Sequence, residues 1–149
     1  MVRASVDGFH NDLETRYRRG RDSPEGFWLD SYDNARFINE LLVPFAAGPG
    51  ASFRRAIHDI DTDQAIEAPL EMVEPESILI VDGIFMHRDE LVDNWEFSVF
   101  LDADFDISVG RMAQRDGSSP DPEAKQNRRY VQGQQSTLQH AIPGPGRGW

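Results

Sequence analysis

The segment Ser77-Ile78-Leu79-Ile80-Val81 limits this chain more than any other. An almost unbroken apolar run of strand length predicts a strand covered on both faces, as in a parallel sheet. Asp82-Gly83 ends it. Val2 to Val6 predicts a second strand that ends the same way, at Asp7-Gly8, and Phe97 to Leu101 predicts a third, closed by Asp102. Helical signals lie between them. Asp33 is placed to cap a helix with Phe37, Ile38, Leu41 and Leu42 on one face, and Pro44 predicts its end near Leu42 or Val43. A short helix is expected around Arg88 to Asn94. Asp104 is placed to cap another, with Phe105, Val109 and Met112 together, and a polar helix should run from Glu123 to about Gln135. Residues 11–30, broken by Gly20, Pro24 and Gly26, predict a loop with a short helix at most. Phe53 to Ile60 reads as strand-like, and residues 46–52 and 116–122 as loops. Strands alternating with helices imply an α/β domain built on a parallel sheet.

Charge narrows the partners. A chain of 149 residues suits one domain, and its net charge of −11 disfavours nucleic acid and anionic membranes as bulk partners. Cysteine is absent, which excludes disulfides, thiolate metal sites and cysteine nucleophiles. No apolar run approaches the about 20 residues of a membrane span, and the N-terminus lacks a signal pattern. A soluble, cytoplasmic protein acting on a small molecule is the expectation.

Ligands of open parallel sheets bind beyond the carboxyl ends of the strands. Asp7, Asp82 and Asp102 all stand there. Carboxylates in such a crevice can hold Mg²⁺ or take a proton from a hydroxyl; equally, each can simply cap the turn that follows it. Asp102 suits the structural role better, because Asp104 follows it at a helix start. Arg16, Arg18, Arg19 and Arg21 form a basic cluster that suits phosphate, although a solvated loop would look the same. Arg111 and Arg115, four apart, share a helix face. Arg128 and Arg129 lie beyond the 116–122 loop, as they would on an arginine-bearing flap over a phosphate site. The histidines His10, His58, His87 and His140 have no metal-ligand spacing.

The stretch Ala4-Ser5-Val6-Asp7-Gly8-Phe9-His10, followed by Arg16-Tyr17-Arg18-Arg19-Gly20-Arg21-Asp22-Ser23-Pro24-Glu25-Gly26-Phe27, resembles bacterial uridine-kinase-like proteins of the phosphoribulokinase/uridine kinase branch of P-loop kinases. The likeness continues in order through Asp30-Ser31-Tyr32-Asp33, Ile80-Val81-Asp82-Gly83-Ile84-Phe85, Phe97 to Asp102, Arg111 to Gly117 and Asn127-Arg128-Arg129-Tyr130-Val131. This resemblance implies a P-loop-kinase-like parallel sheet with flanking helices. It also implies transfer of the ATP γ-phosphate to a nucleoside 5′-hydroxyl with Mg²⁺. Asp7 matches the catalytic base and lies near the metal, and Asp82 matches the acid that helps hold it. Asp30 matches the acid that binds the ribose hydroxyls, with Asp22 as the alternative. His10 and His58 stand where the family has substrate-contacting tyrosines, departures that leave the base open. Arg111 and Arg115, with Arg129 further on, match positions that contact transferring phosphates around a lid-like region at about 116–134.

One motif of that family is absent. No G-x-x-x-x-G-K-[ST] occurs in the 149 residues, and the only lysine, Lys125, has no such frame. The expectation is a single partial domain over residues 1–149, lacking the first βα unit and the last strand, with an irregular tail at 135–149. Open sheet edges in such a piece leave room for a homo-oligomer. The alternative functions are a non-catalytic module that binds a nucleoside or sugar phosphate and, behind it, a Mg²⁺-dependent phosphatase. The usual D-x-D-x-[TV] of the latter is not supplied by Asp7-Gly8-Phe9.

Overall fold

The computed structural model describes residues 1–141. Strand β1 (Val2–Ser5) pairs in parallel with β6 (Leu79–Asp82), with Ser5 opposite Asp82. Between them the chain forms α1 (Leu13–Tyr17), α2 (Pro24–Asp30), α3 (Asn34–Phe37) and α4 (Val43–Ala47), then two short antiparallel pairs. One is β2 (Ser52–Phe53) with β5 (Glu71–Met72); the other is the hairpin of β3 (His58–Asp59) and β4 (Gln64–Ala65). After β6 come α5 (Asp89–Val92), α6 (Phe105–Asp116) and α7 (Arg128–Ala141). The irregular tail expected at 135–149 is corrected at its start, because α7 continues to Ala141; residues 142–149, and the His140 side chain, lie outside the described residues.

The core sits on one side of β1 and β6. Phe9, Phe37, Leu41 and Leu91 are fully buried there with Phe53, and Leu79 and Val81 pack against them. A second cluster joins Val6, Tyr32 and Phe85, with Phe27 and Trp28 at its edge. Both strand-end glycines are required by close approach. A Cβ on Gly8 would lie 2.6 Å from the Arg55 carbonyl oxygen, and one on Gly83 would lie 2.2 Å from a Val6 methyl. The repeated Asp-Gly is therefore a packing device as well as a strand end.

Several expectations are corrected. Residues 97–101 form no strand, and Phe97 and Leu101 are almost wholly exposed. Without a paired neighbour, an apolar run gains no ladder hydrogen bonds and has no reason to extend. The 77–81 run is covered on one face only, because Ile78 and Ile80 point to solvent while Leu79 and Val81 point to the core. Residues 11–30 hold two helices, not one at most. Asp12 caps α1 by accepting from the Thr15 N–H, and Ser23 caps α2 ahead of Pro24 at its first turn. Asp33 caps α3 as expected, accepting from the Arg36 N–H at 2.9 Å. Pro44, however, does not end that helix. A π-helical turn over Ile38–Leu42 carries it into α4, where Pro44 occupies the first turn and needs no N–H donor. Asp104 precedes α6 without a side-chain cap bond.

The region expected to serve as a lid is docked at its C-terminal end. Tyr130 meets the Phe27 ring edge-on, and a Cβ on Gly133 would lie 2.7 Å from that same ring, so α7 packs directly on α2. Asn127, fully buried, donates to the carbonyls of Ser119 and Asp121 and so folds the preceding loop.

Candidate functional site

β1 ends in a 3-10 turn, Val6–Phe9, whose Val6 and Phe9 side chains are anchored in the two clusters. Those anchors hold Asp7 outward, exposed, at the carboxyl end of the sheet. Its backbone N–H donates to Ser5 Oγ. Because Ser5 pairs with Asp82 in the parallel ladder, Asp82 ends the neighbouring strand on the same side, also exposed. The sheet thus places Asp7 and Asp82 at the same end of the ladder. Asp102 follows the irregular 97–101 segment and has no strand to place it.

Tyr32 orients Asp7. Its hydroxyl donates to Asp7 Oδ1 at 3.0 Å, and its ring packs among Val6 and Phe85. Burial, then the charge and hydrogen bond of Asp7, push the phenol far above its usual range, so it stays a donor. His10 lies on the other side of the turn, 4.6 Å from the Tyr32 ring between centroids. Its Nδ1 is 2.7 Å from the Asp7 carbonyl oxygen, an acceptor, so Nδ1 carries the proton and Nε2 is left as an acceptor. Burial lowers the His10 pKa, with Arg16 and His58 adding to that, against the raising effect of Asp7. The ring is held neutral near pH 7.

The 55–58 segment closes the site on its far side, where the Ile57 N–H donates to the Gly8 carbonyl at 2.8 Å. This places His58 near the Asp7 turn, buried. Its Nε2 is 3.3 Å from Asp63 Oδ1, a distance suited to an ion pair, but the angle is not that of a hydrogen bond. The geometry of alignment decides, so both ring nitrogens of His58 lack a hydrogen-bond partner among the described residues, as does Arg16 Nε.

Two expected ligands are already engaged. Asp30 is buried, and its carboxylate is taken by Arg18 at one oxygen and by Arg19 Nε at 2.8 Å at the other. Burial pushes that carboxyl up, but the hydrogen bonds and charges of the two arginines outweigh it and hold the pKa below 3.8. Asp30 therefore organises the basic loop through these two arginines. Arg129 is buried as well. It donates to the carbonyls of Arg21 at 3.1 Å and Arg16 at 3.4 Å and lies over the Tyr17 and Phe27 rings. Burial lowers its pKa. These contacts pin α7 to the Arg16–Arg21 stretch. Arg111 is exposed on α6, and Arg115, 78% exposed, reaches only the adjacent Asp116 at 3.7 Å.

Sequence reasoning missed Tyr32 and Asp63. Tyr32 sits one residue before the Asp33 cap, which fixes its direction, but its partner lies 25 residues away. Nothing local marks Asp63. Among the described residues no group of three or more His, Asp or Glu side chains could hold a metal alone. Two exposed carboxylates on adjacent strand ends do fit Mg²⁺, which takes one or two carboxylates and completes its shell with water and phosphate oxygens. The residues present do not fit an ATP phosphate chain, since the sequence holds no glycine-rich lysine loop.

Residues 1–120 match the model of the phosphoribulokinase/uridine kinase family. The uridine kinase of Ligilactobacillus salivarius is 28% identical over 122 residues, covering 78% of this chain and 53% of that protein. That of Alkaliphilus metalliredigens is 27% identical over 111 residues, covering 74% and 49%. The chain thus spans about half the length of the curated relatives it matches. A solved structure described as a possible uridine kinase from Bacillus stearothermophilus superposes with a TM-score of 0.59 at 15% identity, over 93% of this chain and 68% of that one. The α/β fold is that of a P-loop kinase, and the chain belongs to the phosphoribulokinase/uridine kinase family.

Proposed function

We propose that this chain carries the acceptor side of a nucleoside-kinase-type phosphotransferase. The observation that supports it is the placement of Asp7 and Asp82 at the same carboxyl end of one parallel ladder, with Asp7 aimed by Tyr32. Tyr32 occupies Oδ1 and leaves Oδ2 to take the proton of an acceptor hydroxyl. His10, neutral with Nε2 free to accept, and His58 contact the acceptor beside that hydroxyl. Mg²⁺, held by Asp7 and Asp82, would neutralise phosphate charge near the acceptor. Arg111 and Arg115 stay exposed for a phosphate that approaches α6. ATP is the phosphoryl donor usual in the family, but this chain offers no cradle for it, so no step is drawn through it.

Calorimetry with uridine and cytidine, with and without Mg²⁺-ATP, tests the reading, together with phosphate transfer assayed on the same chain. Nucleoside binding that weakens in His58→Ala and survives in Asp7→Asn supports an acceptor site with Asp7 as base. Absence of nucleoside binding by the unmodified chain overturns it. Nucleoside binding with no ATP binding favours the non-catalytic module.

A further inference from the structure

Asp63 joins two elements of the acceptor wall, α1 through Leu13 and Arg16 and β3 through His58. Its two oxygens accept from the Leu13 N–H at 2.9 and 3.2 Å, the first amide of α1. Oδ1 also accepts from the Arg16 guanidinium at 3.2 Å and lies 3.3 Å from His58 Nε2. Arg16 and His58 are nine-tenths buried at their side chains, whereas Asp63 keeps 26% of its own exposed. The Asp63 backbone is left-handed, with φ of 53°, a conformation that Asp tolerates better than most residues. The hairpin that carries it has only two paired positions, His58 with Ala65 and Asp59 with Gln64. A ladder that short does not hold itself in place. Besides the backbone bond from Ile57 to Gly8 at its base, the tip is tied down by Asp63.

We infer that Asp63 is a positioning residue, a latch that fastens the β3–β4 hairpin to α1 and thereby sets His58 and Arg16 in the acceptor wall. The role of those two side chains toward a nucleoside rests on the acceptor-site reading; the latch itself rests on the geometry alone. Burying a guanidinium requires a countercharge, which Asp63 supplies to Arg16, and the same oxygen faces the His58 ring. When the carboxylate leaves, the hairpin is free to lift, and the acceptor meets a wall without its polar groups in place.

Two variants and two measurements test this on the full chain. Asp63→Gly removes the carboxylate and keeps the left-handed backbone; Asp63→Asn keeps the backbone and one oxygen for the Leu13 N–H but loses the charge. Amide exchange at residues 58–66 should quicken by about tenfold or more in Asp63→Gly, while β1 and β6 keep their protection, because the opening is local. Asp63→Asn should fall between the two. Uridine or cytidine affinity should weaken by about tenfold in Asp63→Gly and recover in part in Asp63→Asn. Unchanged hairpin exchange in both variants overturns the latch. Faster exchange with unchanged nucleoside affinity overturns its part in the acceptor wall. If the unmodified chain binds no nucleoside, the acceptor reading fails, and the exchange data still decide the latch. Should Asp63→Gly fail to fold, Asp63→Asn decides: it must show quickened exchange at 58–66 with β1 and β6 still protected.

Discussion

The turn at residues 6–9 and the segment at residues 97–101 both stand at a predicted strand end and have opposite fates. Val6 and Phe9 are fully buried, while Phe97 and Leu101 are 85% and 84% exposed. An aspartate marks both, Asp7 within the turn and Asp102 just after the segment. The difference lies in what each run meets. β1 has β6 along one edge, the Ile57 N–H bonded to Gly8, and aromatic rings packed on Val6 and Phe9. No strand pairs with 97–101 among the described residues. Apolar content states what can be buried, and only contact with other elements states what is buried. The consequence is functional, because Asp7 is held by its anchored turn and Asp102 is not.

The comparison is broken most directly by cutting one aromatic from each region. Phe37→Ala, in the core beneath the Asp7 turn, should cost about 3–5 kcal/mol by urea denaturation, whereas Phe97→Ser should change stability by no more than about 0.5 kcal/mol. Equal losses would show that 97–101 is packed in solution. Gly8→Ala comes next. Its Cβ would press on the Arg55 carbonyl at 2.6 Å, and a loss of about 1–3 kcal/mol is expected. The same change at Gly110, where a Cβ meets nothing within 4 Å on α6, should be neutral or stabilising by up to about 1 kcal/mol.

Acid should act on the anchored region through Asp30. Its pKa is lower when folded than the ordinary 3.8, so its contribution is present above that value and is lost as pH falls through the folded value. Stability measured down the acid limb should therefore fall less steeply in Asp30→Asn than in the unmodified chain; parallel curves would show that the arginines do not depress this group. Smallest is Tyr32→Phe, which removes the hydroxyl that donates to Asp7. It should cost about 1 kcal/mol of stability and weaken phosphate transfer, where transfer is measurable, more than nucleoside binding. Equal effects on both would make Tyr32 a packing residue only.

Local chemistry made much of this legible. The apolar runs at 2–6 and 77–81 located the two paired strands, Asp33 located the start of α3, and the strand-end rule picked out Asp7 and Asp82. Misreadings came where a distant contact outweighed a local preference. Gly20, Pro24 and Gly26 argued for a loop at 11–30, but α2 packs on α7 through Phe27, Tyr130 and Gly133, more than 100 residues further on. Pro44 argued for a helix end, and a π-helical turn absorbed it. Asp30 and Arg129 carried the right chemistry for ligands but were consumed by internal partners. Tyr32 and Asp63 act across 25 and 50 residues, a distance over which spacing carries no signal.

The sequence by itself therefore determined the α/β class, the strand-end carboxylates and the family, because these depend on residue type and on spacing within a few positions. Only the tertiary structure decided which carboxylates are free to meet a ligand. Asp7 and Asp82 are exposed at the same end of the ladder, Asp30 is closed by two arginines, and Asp63 is drawn to α1 and Arg16. A carboxylate's availability is set by the donors that folding brings within about 3 Å of it, and those donors come from other parts of the chain.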